Sequence, residues 1–309
     1  MPDETILSGK SKTPFPKTPS LETVDNLWRG SVDMHIHVPI EIGVNRRYTA
    51  YQTAEIAQKA GMKAIVLKNH NSSTALTAFT IQSCFPDLEV VGSLCIEYGT
   101  TAGLNKYTAE IVENQAKIGA KVLWFPTFDA YWHRNFVPQL KGTGIKVVDE
   151  NGKLNQYIPD ILQVVKDYNL VLGTGHISYS EAKMLLEAAS AMGITRIVAT
   201  HPMSETSRTP YALEEMKQLV SLGAYIEHCW RNCLPQLNSY DPHRYVDAIR
   251  ELGAEHCILS TDFAQVSDPS PAEGLRSFIA VMLQFGLYAE EVEIMVKSNP
   301  YKLLDINSR

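Results

Sequence analysis

Ser31-Val32-Asp33-Met34-His35-Ile36-His37-Val38 is the stretch whose reading decides the fold. It has the composition of a short β-strand. Side chains alternate along a strand, which puts Val32, Met34 and Ile36 on one face and Asp33, His35 and His37 on the other. Two imidazoles one pleat apart on a rigid strand can hold a single divalent metal, and neutral His nitrogen is a natural zinc ligand. An isolated His-x-His is read equally well as a buried strand whose histidines bond to polar neighbours. The rest of the chain decides between these readings.

Downstream of this stretch, apolar runs and helical periods alternate with little interruption. Strands are expected at 31–37, 63–70, 88–97, 121–127, 170–174, 196–200, 224–228 and 257–260. Helices are expected near 49–60, 73–83, 105–118, 157–168, 178–193, 210–221, 242–252 and 271–285, with a last one taking in Asn299 to Leu304. Several of the strands are rich in Val, Ile and Leu, as strands covered on both faces should be. Strand–helix alternation implies parallel pairing, and eight such units predict an α/β fold, the (β/α)8 TIM barrel. The connection 128–156 is long enough for an insertion or lid after strand four. Within it, Ile145 to Leu154 reads as a β-hairpin turning at Asn151-Gly152. Residues 1–28, with Pro2, Pro14, Pro16 and Pro19 and no hydrophobic period, read as an N-terminal arm. Residues 29–309 read as a single barrel domain.

Composition narrows the function. The chain has 309 residues, 45% hydrophobic and 20% charged, with a net charge of −6. Neither the charge nor its scatter suggests nucleic acid or an anionic membrane as partner. No apolar run has the length of a bilayer span, and no apolar leader opens the chain, so a soluble cytoplasmic protein is expected. The five cysteines form no C-x-x-C and read as reduced thiols. Cys229 and Cys233 have a spacing compatible with a metal pair, but no second pair accompanies them.

In such barrels the site stands at the C-terminal edge of the strands. There the sequence places His35 and His37, Lys68 and His70, Glu97, Asp129, Gly175-His176, Thr200-His201-Pro202, Glu227-His228 and Thr261-Asp262. Seven of the nine histidines fall at strand ends, with His133 the loosest of them. Taken singly each is read as well as a capped or core histidine. Together they point to a metal site.

The order His-x-His, His, His, Asp across strands one, five, six and eight resembles the amidohydrolase superfamily of metal-dependent hydrolases. The resemblance covers about residues 31–306 and rests on Asp33-Met-His-Ile-His37, Thr200-His-Pro202, Ser260-Thr-Asp-Phe263 and Asn299-Pro-Tyr-Lys-Leu-Leu304. Within that superfamily the chain is most similar to uncharacterised amidohydrolase-like proteins. The resemblance implies one or two divalent metals, zinc first, with Mn or Fe as alternatives. His35 and His37 would bind one ion and His176 and His201 a second. Asp262 would ligate metal and take the proton of the attacking water.

The sequence departs from the family at strand four. Leu123-Trp-Phe-Pro-Thr127 lacks the carboxylated lysine or glutamate that bridges two metals there. Lys68 on strand two could substitute as a carboxylated bridge. Otherwise it is an ammonium that binds a substrate carboxylate or pairs with Glu97. His70 is a further candidate catalytic residue. Glu97, His228 and Arg231 are the candidate substrate contacts, Arg231 because a guanidinium pairs with carboxylates in bidentate fashion.

The expected activity is cleavage of an amide, cyclic amide or imide, lactone or other ester in a small molecule. A non-oxidative decarboxylase of the same superfamily is the alternative reading, and an inactive ligand-binding barrel a third. The arm and the partly apolar helical stretch Phe278 to Leu287 suggest a homo-oligomer.

Overall fold

The computed structural model describes residues 18–205, 209–237 and 240–306. Eight strands run in sequence order: β1 Val32–His37, β2 Ala64–Lys68, β3 Glu89–Cys95, β4 Ala120–Trp124, β5 Val171–Gly173, β6 Ile197–Ala199, β7 Ala224–Cys229 and β8 Cys257–Ser260. Each pairs in parallel with the next. β8 meets β1 through a parallel bridge between Ile36 and Phe263. Asp262 N donates to His35 O at 2.9 Å and His37 N to Phe263 O at 3.0 Å. The molecule is therefore the expected (β/α)8 barrel, closed by the residues that also carry the candidate site.

The main helices are α1 Leu21–Trp28, α2 Ala50–Lys59, α3 Ala75–Gln82, α4 Thr108–Ile118, α5 Ile158–Asp167, α6 Tyr179–Ala191, α7 Leu213–Ser221, α8 His243–Leu252, α9 Pro271–Gln284 and α10 Asn299–Leu304, with short turns of helix at Tyr98–Thr101, Tyr131–Arg134 and Ala289–Glu293. Local chemistry sets their ends. Thr49 and Gln52 form a capping box ahead of α2, and Ser178 and Glu181 do the same ahead of α6. Ser270 caps α9 with Pro271 at the first helical position.

Two apolar layers result. Ile65, Leu67, Leu94, Leu123, Leu172, Ile197, Ile226 and Leu259 pack outward into the core shared with the helices. Val32, Met34, Ala64, Val66, Val91, Val122, Trp124, Val171, Val198 and Ile258 fill the barrel interior together with Leu303, Leu304 and Ile306. α10 thus lies against the strand starts, where Tyr301 Oη donates to Gly30 O.

Three expectations need adjustment. The simple alternation along β1 fails. Its register against β2 shifts between Asp33 and Ile36, leaving Val32 and Met34 inside the barrel but Ile36 in the outer layer. A bulge switches the parity of every residue beyond it. At 145–154 the antiparallel pairing is short: Val148 bridges Leu154, Asp149 N donates to Lys153 O at 2.7 Å and Asn155 N to Val147 O at 2.8 Å, and a parallel bridge from Ala130 to Ile145 pins the start of the segment. The arm is partly helical. Ser20 Oγ accepts from Thr23 N at 3.0 Å to cap α1, which buries Val24 and Leu27. Residues 1–17 of that arm lie outside the described residues. Among the described residues no helix is long and apolar enough to cross a membrane. The five cysteines are free thiols, as expected.

Candidate metal centre

His35 and His37 stand at the end of β1 and Asp262 just beyond β8, so the closure of the barrel brings them together. His35 Nε2 lies 3.3 Å from His37 Nε2. Asp262 Oδ1 lies 3.2 Å from each of these nitrogens. Three donor atoms thus form a nearly equilateral triangle. Around a tetrahedral zinc ion with bonds of about 2.0–2.1 Å, neighbouring donors stand about 3.3 Å apart. The triangle fits one face of that tetrahedron. His201 joins the group: a donor atom each from His35, His201 and Asp262 lie within 4.8 Å of one another. His201 Nδ1 and His37 Nδ1 are buried and have no hydrogen-bond partner among the described residues.

The side chains around this triangle fix its chemistry. His35 Nδ1 donates to the buried carboxylate of Glu227, at 3.3 and 3.2 Å. That bond sets the tautomer and turns the Nε2 lone pair toward Asp262 and His37. Asp33 accepts from His35 N at 3.1 Å, from Thr261 N at 3.0 Å and from Thr261 Oγ1 at 2.5 Å, which ties β1 to the residue before Asp262. His201 and Asp262 both adopt positive φ, 27° and 56°. Non-glycine residues held there store backbone strain, a recurrent property of functional sites.

Burial lowers the basicity of the imidazoles. It pushes His37, His70 and His176 well below the usual histidine range and His201 to about 4. All four are neutral at pH 7 with lone pairs to offer. Burial alone would raise Asp262, but His35, His37 and His201 outweigh it and hold the carboxylate well below its ordinary range. Glu227 is likewise lowered, its burial offset by His35 and His201.

Lys68 is fully buried. Its Nζ lies 3.1 Å from His35 Nε2 and 4.5 Å from the centre of the Trp124 ring. It faces the barrel interior with Val66, as strand parity requires, and it does not pair with Glu97. His70 Nδ1 lies 2.6 Å from Thr127 Oγ1, which in turn donates to Glu97. The His70 ring stacks on Phe128 with centroids 4.0 Å apart. His176 faces the same cavity, but its Nδ1 lies 3.2 Å from His133 Nδ1, and its ring is 5.0 Å from that of His201. It stands apart from the triangle. The cavity measures about 230 Å³ and is lined by His37, Lys68, His70, His176, His201 and Asp262, among others.

Two expected substrate contacts are corrected. Glu97 is almost fully buried, and its carboxylate accepts from Thr127 N, Phe128 N and Asp129 N at 2.9, 3.1 and 2.8 Å. It organises the loop after β4 from behind the cavity. His228 has the opposite parity to Glu227; it is fully buried between barrel and helices, its ring 4.8 Å from that of Tyr245. Arg231 does line the cavity, with Nη1 held by Asp268 at 3.0 and 2.8 Å.

Sequence reasoning gave no role to Asp33, Glu227 or Thr127. For Glu227 the signal was present, since a carboxylate beside Ile226 and His228 on a barrel strand must point inward if they point out. Nothing in the sequence marks Arg46, which lines the cavity from the loop after β1.

Solved structures share this fold. An amidohydrolase from Pseudomonas aeruginosa superposes with a TM-score of 0.61, covering 92% of this chain and 97% of that one at 10% identity. YjjV, a TatD homologue from Escherichia coli K12, gives 0.57 over 91% and 100% at 14% identity. The phosphotriesterase homology protein from Escherichia coli, complexed with phosphate in its active site, gives 0.56 over 89% and 98% at 15% identity. The chain thus has the barrel fold of the amidohydrolases, as its strand-end motifs implied. No curated protein matches it by sequence. Residues 30–227 match the family of unknown function DUF6282, and the chain belongs to that family.

Proposed function

We propose that the protein is a metal-dependent hydrolase that cleaves an amide, cyclic amide or imide, lactone or other ester bond in a small molecule. The observation that carries this reading is the triangle of His35 Nε2, His37 Nε2 and Asp262 Oδ1, with edges of 3.3, 3.2 and 3.2 Å. His35, His37, His201 and Asp262 would hold a divalent ion, zinc by donor type, with Mn or Fe as alternatives. Such an ion polarises a carbonyl and makes a water nucleophilic at neutral pH.

The chain's own residues supply the rest. Asp262, kept ionised by its histidine neighbours, accepts the proton of the attacking water at a carboxylate oxygen and returns it to the leaving group. Glu227 holds His35 in the tautomer that leaves Nε2 unprotonated. His70 donates from Nδ1 to Thr127, because Thr127 gives its own proton to Glu97; this leaves His70 Nε2 as an acceptor beside the cavity.

A decarboxylase is the second reading. It is supported by β4, which ends in Trp124 with no bridging ligand; that indole packs 5.1 Å from the His35 ring.

The test is elemental analysis of protein purified without chelator, followed by assays of amides, lactones and carboxylic acids with the loaded protein. About two ions per chain supports the bridged hydrolase, with Lys68 carboxylated. One ion with release of CO2 moves the assignment to the decarboxylase. No ion, and no uptake on adding zinc, removes both readings.

A further inference from the structure

Beside the candidate metal centre, the loops after β1, β7 and β8 build one wall of the cavity from arginine. Arg46 and Arg231 both line it, with Gln265. The two are linked. Arg46 forms an antiparallel bridge with Gln265, Gln265 N donates to Asp268 Oδ2 at 2.7 Å, and Asp268 accepts from Arg231 Nη1.

Each guanidinium is held by a buried carboxylate, Arg46 along its Nε–Nη2 edge and Arg231 at Nη1. Glu41 accepts from Nε of Arg46 and pairs with its Nη2; the other Glu41 oxygen accepts from His70 N at 2.9 Å. Asp268, fully buried, also accepts from Ala264 N at 3.1 Å. Among the described residues, the side-chain hydrogen bonds of Arg231 come from Nη1 alone, and those of Arg46 from Nε with a salt bridge at Nη2.

A guanidinium carries five N–H donors and no acceptor, so a molecule docking on this wall must present acceptors. The planar fork matches the paired oxygens of a carboxylate, and a side chain already held in place loses little freedom on binding. Glu41 and Asp268 balance the two arginines pairwise, so each guanidinium keeps unused N–H donors toward the cavity without adding net charge. Phe128, half-exposed and stacked on His70, gives the remainder of the ligand an apolar face.

We propose that the substrate is a small acyl compound bearing a carboxylate, and that Arg46 and Arg231 bind that carboxylate while the bond to be cleaved lies at the metal centre. The substrate assignment rests on the hydrolase reading above, whereas the arginine wall can be tested without it.

The experiment is titration calorimetry of the full chain, zinc-loaded and chelator-treated, with succinate, its neutral diamide succinamide, and inorganic phosphate. Zinc uptake is measured on the same samples. Succinate should bind both forms at least tenfold tighter than succinamide or phosphate. Arg46→Lys and Arg231→Lys, which keep the charge and lose the fork, should each weaken succinate at least tenfold with zinc uptake unchanged. Equal binding of succinate and succinamide overturns the proposal whether or not the variants fold. So does wild-type succinate affinity in both folded variants. Tighter binding of phosphate overturns it in favour of a phosphate ester. Failure to take up zinc with succinate selectivity intact removes the hydrolase reading and leaves the carboxylate site standing.

Discussion

His35 is held from three directions. Its backbone N–H donates to Asp33, its Nδ1 to Glu227, and its Nε2 shares the triangle with His37 and Asp262. Outer partners of this kind typically set metal affinity over a 10–100-fold range. Glu227→Gln keeps the size of the side chain but cannot present two acceptor oxygens to His35. It should weaken zinc binding about 10–100-fold, measured by competition with a chelator, with the circular dichroism spectrum unchanged. Zinc affinity equal to wild type would remove Glu227 from the site. His228, one residue on, behaves differently because it points away from the cavity. Burial pushes it down to about 3 from its ordinary 6.5. The unfolded chain therefore binds the proton first as pH falls, so this contribution to stability is complete above about 6.5 and is lost toward pH 3. Acidification from pH 6.5 to 4.5 should cost about 2 kcal/mol through His228 alone. His228→Phe should lose that share of the acid sensitivity in denaturant melts run at the two pH values. An unchanged pH slope would mean that His228 titrates normally.

The end of β5 shows how an element delivers a residue to the site. Gly175 has φ +65°, and a Cβ there would lie 2.2 Å from Phe125 O and 2.5 Å from Pro126 O. Backbone cannot yield as a flexible side chain does. The strand end therefore needs glycine to pass β4 closely and turn His176 into the cavity, where His176 N donates to Pro126 O at 2.9 Å. Gly175→Ala should cost at least about 3 kcal/mol. In a chain of this size that lowers the melting temperature by about 5 °C or more. A melt within about 2 °C of wild type would show that the turn tolerates a side chain. Most element boundaries are legible for comparable local reasons: Ser178 can cap α6 through its hydroxyl, and Gly119 and Gly253 adopt the positive φ, 118° and 89°, that ends α4 and α8. The bulge in β1 was not legible, because it arises from how β1 pairs with β2 and β8 rather than from the residues of β1.

At the scale of the molecule, the barrel is filled from its N-terminal end by α10 and leaves its C-terminal end to polar side chains. Leu303 is 1% exposed among Val32, Met34 and the other interior residues. Leu303→Ala should destabilise the chain by about 2–5 kcal/mol, read from denaturant unfolding. A loss below about 1 kcal/mol would mean that α10 is an attachment rather than part of the core. The sequence by itself determined the eight strand–helix units, their parallel order and the placing of His35, His37, His176, His201 and Asp262 on one rim. All of that follows from local periodicity, cap chemistry and the handed, consecutive pairing of parallel strands. Only the tertiary structure decided which of those residues meet. It joined His201 to His35 and Asp262, set His176 against His133, placed Glu97 under the loop after β4 and put His228 against Tyr245. It also raised Glu227, Asp33 and Arg46 to parts of the site. Such assignments depend on strand register, on the bulge in β1 and on loop paths across three strands, and these are fixed only when the barrel closes.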